Sequence, residues 1–308
     1  MESLPLFYCD YHEIPLPPGH KFPVRKYRML RERLEPDSRF CLSPSPPADA
    51  NTISLAHDAE YVNRFIAGTL PHAAMRRIGF PWSEGLVRRT MASAGGTIAA
   101  AEDALTQGIG GTLAGGTHHA FRSEGAGFCV FNDVAVAIHW LRSVGRARRF
   151  AVVDLDVHQG DGTAQFFEHD GDVFTVSLHG KNNFPLRKQR SKIDIELEDG
   201  TGDEEYLGTL DTVLPQVWDF APELIFYLSG VDALAGDRLG RLSLSLEGVE
   251  ARDRKVVGGA NAQHIPLAIT LGGGYAEPVE LTVRAHANTF LIAAEVFGAA
   301  GAVGAATP

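Results

Sequence analysis

Cysteine is scarce. Cys9, Cys41 and Cys129 are the only three, an odd number with no CxxC pair among them. That excludes a disulfide framework and a thiolate zinc site, and it fits a reducing compartment. No apolar run reaches the length of about 18 residues that a membrane-spanning helix needs. Positive charge is in deficit: 28 Lys and Arg against 38 Asp and Glu leave −10, the wrong sign for a nucleic-acid binder that works through a positive field. The opening stretch "MESLPLFYCDYHE" has neither a basic n-region nor an apolar core of signal-peptide length, so a cytoplasmic location is expected. Repeats of solenoid period are missing, and no Pro/Ser linker divides the middle of the chain. One domain over residues 1–300 is therefore expected, with the low-complexity end, residues 301–308, as a disordered tail.

What is present is ordinary globular material: 44% hydrophobic and 21% charged residues, enough for a sizeable core without staples. The first fifty residues are loop-rich, with a basic helix-like stretch at "RKYRMLRERL". "AHDAEYVNRFIAGTL" and the Ala-rich "GLVRRTMASAGGTIAAAEDAL" read as helices. From about residue 110 the pattern is strand, Gly-containing loop, helix, repeated. The strand candidates are "GGTLA", "RFAVVDLDV", "DVFTVSL", "ELIFYLS" and "IPLAITL". Helix candidates between them are "NDVAVAIHWLRSV", "EEYLGTLDTVLPQVWDF" and the segment after Gly240. Strands alternating with helices imply right-handed crossovers and a mostly parallel sheet, an α/β fold.

Ligands bind beyond the carboxyl ends of the strands in such sheets, and each candidate here is followed by unusual chemistry. "GTLAGGTHHAF" delivers His118 and His119, and "AVVDLDVHQGDG" delivers Asp154, Asp156, His158 and Asp161. "FTVSLHG" delivers Ser177 and His179, "LSGVDALAGD" delivers Asp232 and Asp237, and "LGGGYA" delivers Tyr275. The run "FAVVDLDV" looks like a strand buried on both faces, yet Asp154, Asp156 and His158 fall at every second position and would stand in one row. Two carboxylates in a dry interior repel each other and lose hydration, so a cation is the simplest partner. Asp156, His158 and Asp232 supply two carboxylates and an imidazole, a set typical of a catalytic divalent metal with an open position for water. Asp154 is one carboxylate too many for a tetrahedral ion; it either orients a histidine or meets a second, monovalent cation. An imidazole of the His118–His119 pair beside such a metal is a natural general base, with Asp154 and Asp161 available to fix tautomers. Tyr275, aimed by three glycines, is placed to donate to a carbonyl oxygen as charge develops.

"GGTHHAF", "GFCVFND", "VVDLDVHQGDGTAQFF", "VSLHG", "SGVDALAGDRLG" and "GGGYA" resemble the histone deacetylase superfamily in order and spacing, over roughly residues 8–295. The form "DVHQGDG" with "GDRLG", preceded by "PLPPGHKFPVRKYRML", is most similar to the class IV-like branch and its bacterial relatives. The resemblance implies the arginase/deacetylase fold, a single domain around an eight-stranded parallel sheet with helices on both faces. It implies zinc at Asp156, His158 and Asp232, with ferrous iron as the other ion such a site accepts. It places the tandem histidines at His118 and His119, their aspartates at Asp154 and Asp161, and the carbonyl-polarising tyrosine at Tyr275. A structural potassium ion is implied at Asp154, Asp156, His158, Ser177 and Leu178. The acyl-lysine tunnel is implied at Gly127, Phe128 and Phe184, with His20 on its rim loop. Two departures stand out: Gln159 where many members have a second histidine, and Gly79 where many carry a rim aspartate that grips the substrate backbone.

The activity implied is removal of acetyl, or longer acyl, groups from the ε-amine of lysine in a protein or peptide. The same chemistry on a small acylated amine such as an acetylpolyamine is the first alternative. A non-catalytic binding module of the same fold is the second, and loss of any one of Asp156, His158, Asp232, His119 or Tyr275 would have favoured it. Arginase-like chemistry on two manganese ions is third, and His119 and Tyr275 argue against it. No sequence-specific nucleic-acid partner and no membrane association are expected; the oligomeric state is left open.

Overall fold

The computed structural model describes residues 3–304. All five strand candidates form, and they form the middle of the sheet: β3 (Ile109–Thr112), β4 (Phe150–Asp154), β5 (Val173–Gly180), β7 (Leu224–Leu228) and β8 (Leu267–Thr270). Three further strands complete it, β1 (Leu4–Tyr8), β2 (Phe40–Pro44) and β6 (Ile193–Leu197). The order is β2-β1-β3-β8-β7-β4-β5-β6, eight strands with every ladder parallel. Parallel strands are joined by crossovers that put helices on both faces, so a central strand is buried twice and reads as a continuous apolar run. β4 and β7 are buried at every residue.

The chain lays α1 (Arg25–Leu34), α8 (Asp203–Asp219), α9 (Leu246–Ala262) and α10 (Val279–Gly304) on one face. The other face carries α2 (Ala50–Ile53), α3 (Ala59–Ile66), α4 (His72–Ile78), α5 (Glu84–Gln107), α6 (Asp133–Ser143) and α7 (Asp161–Phe167). The long α5 starts where Ser83 Oγ accepts the Leu86 N–H at 3.0 Å, and α6 where Asn132 Oδ1 accepts the Ala135 N–H at 2.9 Å. α10 continues through residues 301–304 of the segment read as a tail; residues 305–308 lie outside the described residues. Among the described residues no helix is long and apolar enough to cross a membrane.

One expectation needs correction. β4 ends at Asp154, so Asp156 and His158 do not continue a row along a strand. The reason lies in the carboxylates themselves. Asp154 Oδ1 accepts the Asp156 N–H at 3.1 Å, Asp232 Oδ1 accepts the Val157 N–H at 2.9 Å, and Asp156 Oδ1 accepts the His158 N–H at 3.0 Å. Side chains capture the donors that a ladder would have used, and the backbone leaves the sheet.

Candidate active site

The loops beyond β4 and β7 bring Asp156, His158 and Asp232 together, with one donor atom from each within 4.8 Å of the others. His158 Nδ1 lies 2.9 Å from Asp156 Oδ1 and 3.1 Å from Asp232 Oδ2. Both carboxylates are buried. Burial and the neighbouring Asp156 push the Asp232 carboxyl up to about 7. Burial opposes charge on His158, but hydrogen bonds to Asp156 and Asp232 outweigh it and push the imidazole up to about 10. A proton thus sits where two carboxylates converge, the position a divalent cation would take in its stead. Two carboxylates, one imidazole and no other cation between them fit a divalent metal. Gly273 holds the far side of this cluster: its N–H donates to Asp156 Oδ2, and a Cβ there would lie 1.8 Å from Asp232 Oδ2. Only glycine passes so close.

His118 and His119 follow β3 and are both buried. His118 Nδ1 is 2.7 Å from Asp154 Oδ2, and His119 Nδ1 is 2.6 Å from Asp161 Oδ1. Burial works against charge on His118, but Asp154 and Asp156 overcome it and push its pKa up to about 9. Burial and the charge of His118 bring His119 down to about 4, with Asp161 only partly opposing them. His119 is therefore the neutral member. Its Nδ1–H donates to Asp161, which leaves Nε2 with a lone pair for the cavity it lines.

Tyr275 sits at the end of the glycine loop after β8. Its N–H donates to Asp237 Oδ2 at 2.6 Å, and its carbonyl accepts from Arg238 Nε at 3.0 Å. Burial, then Asp232 and Asp156, hold the phenol well above its usual range, so it stays a donor. Asp237 thus has a positioning contact that its place in "GVDALAGD" did not reveal. Lys26 of α1 is a second such residue: buried, with its ammonium donating to the carbonyls of Gly272 at 3.1 Å and Gly274 at 3.4 Å. Burial brings that ammonium down to about 8. A signal existed, because Lys26 shares the helix face of Leu30 and Leu34.

A cavity of about 700 Å³ opens above these groups. Phe128 and Phe184 stand in its wall, and Phe184 stacks edge-on against His119 at 4.8 Å. Gly127 lets His119 approach: a Cβ there would lie 2.6 Å from its ring, and φ is +55°. Gly79, the left-handed end of α4, lines the cavity too. His20 does not line it. Its Nε2–H donates to the Gly79 carbonyl at 2.9 Å, its Nδ1 accepts the Phe22 N–H at 3.1 Å, and its ring stacks on Phe80, all behind the wall. Gln159 turns away from the metal triplet and binds Asp194 and the Gln189 backbone, so this departure touches the loop before β6. Ser177 and Leu178 are buried in β5, and Ser177 is the ladder partner of Asp154. The Ser177 hydroxyl contacts His179 Nδ1 at 2.9 Å.

The model of the histone deacetylase domain family matches residues 20–290. An uncharacterized protein of Picosynechococcus is 42% identical over 303 residues, covering 96% of this chain and 100% of that protein. Histone deacetylase clr6 of Schizosaccharomyces pombe is 30% identical over 290 residues, covering 86% of this chain and 70% of clr6. Histone deacetylase 2 of Arabidopsis thaliana is 38% identical over 185 residues, 59% of this chain, and the chain spans about half (48%) of that relative. Two solved structures share the fold. The HDA15 HD domain superposes with a TM-score of 0.78 at 21% identity, covering 96% of this chain and 88% of that one. An acetylpolyamine aminohydrolase from Burkholderia pseudomallei gives 0.80 at 20% identity, covering 96% and 99%.

Proposed function

The chain belongs to the histone deacetylase family, and from that premise we propose that it is a metal-dependent deacylase acting on the ε-amide of acyl-lysine. The observation that carries this reading is His119, a buried neutral imidazole fixed by Asp161 on the wall of the cavity that also exposes Asp156, His158 and Tyr275. Asp156, His158 and Asp232 would hold the divalent ion, zinc by their donor set or ferrous iron. When bound, such an ion lowers the pKa of water and polarises an amide carbonyl. His119 Nε2 takes a proton from the attacking water and returns it to the leaving amine. The Tyr275 hydroxyl donates to the carbonyl oxygen as it becomes an oxyanion. His118, paired with Asp154, adds positive charge beside the same centre. Asp154 and Ser177, side by side at the ends of β4 and β5, would with Leu178 and the backbone of Asp156 and His158 hold a structural potassium ion.

The cavity lining favours lysine over polyamine. Asp156 is its only carboxylate among the described residues, so the remaining ammonium groups of an acetylpolyamine would find no anionic partner at the mouth. Arg77 and Arg241 stand there instead. The test is kcat/KM of the metal-loaded protein on an acetyl-lysine derivative and on acetylspermidine. The lysine derivative is expected to be the better substrate; a preference for acetylspermidine of a hundredfold or more would transfer the reading to polyamines.

A further inference from the structure

Three cations are nine-tenths buried or more: Lys26, Arg89 and Arg252. Arg252 has its counter-ion in Asp253 at 2.8 Å, and Lys26 donates to two glycine carbonyls. Arg89, in α5, has no carboxylate partner among the described residues. Its Nη1–H donates to the Cys9 carbonyl at 3.1 Å, and its guanidinium lies 4.4 Å from the centroid of the Tyr27 ring. The acids nearby are engaged elsewhere: Asp10 with Arg31 at 3.0 Å, and Asp133 with Thr97, Gly116 and Thr117. A buried charge without a counter-ion is among the costliest arrangements in a protein interior. Arg89 nevertheless lines the same cavity as His158 and Tyr275, at its closed end, together with the hydroxyls of Tyr27 and Ser93. Lys26 Nζ lies 5.3 Å from the ring centroids of both Tyr27 and Tyr275, which places this end beyond Tyr275 from the exposed mouth.

An amine stem that enters from the mouth leaves its acyl group pointing inward. We infer that the closed end is a carboxylate subsite, and that the protein removes acyl groups carrying a terminal acid (malonyl, succinyl or glutaryl type) from lysine. The inference rests on the deacylase reading above. Arg offers paired N–H donors that match a carboxylate, and Tyr27 and Ser93 add donors beside it. The reaction needs no further reagent: water cleaves the amide C–N bond, the amine leaves with the returned proton, and a dicarboxylic acid forms. The carboxylate could also be the acid that any acyl-lysine releases, so the experiment separates the two sources.

The experiment measures kcat/KM for malonyl-, succinyl- and glutaryl-lysine against uncharged acyl-lysines of matching length, with acetyl-lysine in the same assay. The wild-type protein is expected to favour the acidic member by about tenfold or more at one chain length. That ratio should collapse in Arg89→Met and return in part in Arg89→Lys. The wild-type ratio stands as a test even where Arg89→Met fails to fold. Turnover of acetyl-lysine with the uncharged acyl group preferred at every length overturns the inference and leaves the deacylase reading intact. So does a wild-type ratio near one accompanied by weaker acetate inhibition in Arg89→Met, which would assign Arg89 to the departing acid. No turnover of any acyl-lysine, acetyl-lysine included, would instead be the failure of the deacylase reading.

Discussion

His118 and His119 have ring centroids 4.1 Å apart, yet their surroundings drive them in opposite directions, to about 9 and about 4. Identical side chains acquire separate tasks because Asp154 and Asp156 surround one of them, while the other is buried beside a positive neighbour. These residues were legible in the sequence because chemistry confines them to short motifs at strand ends. Arg89 was not: it lies in a helix among residues that read as a small-residue packing face, and only the folded chain shows that it faces a cavity. Tyr275 offers a clean test at this scale. Its hydroxyl is argued to act on the developing oxyanion, so Tyr275→Phe should lower kcat by about 10²–10³ while metal content stays unchanged. A near-normal kcat would reduce the side chain to packing.

The central strands were readable and the outer ones were not, for a physical reason. β3, β8, β7, β4 and β5 are covered on both faces and show as apolar runs. β6 is an edge strand whose residues are mostly half-exposed, and β2 at the other edge ends in proline beside its neighbour β1, which contains Pro5. Such strands carry a weak signal because solvent, ladder and core each claim part of the residue pattern. Between elements, His57 is the most telling contact. Its Nε2 accepts the Asn132 N–H at 2.9 Å and its Nδ1–H donates to the Arg122 carbonyl at 3.2 Å, which ties the approach to α3 to the start of α6. Burial pushes this histidine down to about 4. Above pH 6.5 it is neutral in both folded and unfolded chains and contributes no pH dependence. Below that the unfolded chain takes up the proton first, so stability falls as pH drops from 6.5 towards 4, by about 3 kcal/mol. Urea midpoints at pH 7 and 4.5 should therefore diverge more in the wild type than in His57→Gln. Equal pH slopes would contradict this assignment.

Across the whole molecule, one sheet edge gathers every reactive group, and a single cavity leads from an exposed mouth at Phe184 to a closed end at Arg89. A buried aliphatic stem gains roughly 0.8 kcal/mol per methylene, so the acylated side chain supplies most of the binding. At the rim, Gly79 offers no carboxylate, and Glu124 is paired with Arg77 at 2.6 Å and Asp199 with Arg241 at 3.1 Å. Flanking peptide should therefore matter little: kcat/KM for a single acetyl-lysine derivative and for a peptide carrying it should agree within about tenfold. A peptide preference of several hundredfold would mean that another rim group grips the backbone. The metal centre is the premise behind all of this chemistry. The most direct measurement is a divalent-metal titration of chelator-stripped protein, followed by both ion content and acyl-lysine hydrolysis, in the wild type and in Asp232→Ala and His158→Ala. The wild type should regain activity in step with stoichiometric uptake of the ion, while both folded variants bind none and stay inactive. Full occupancy in either variant, or hydrolysis that survives chelation undiminished, would contradict a catalytic metal at Asp156, His158 and Asp232.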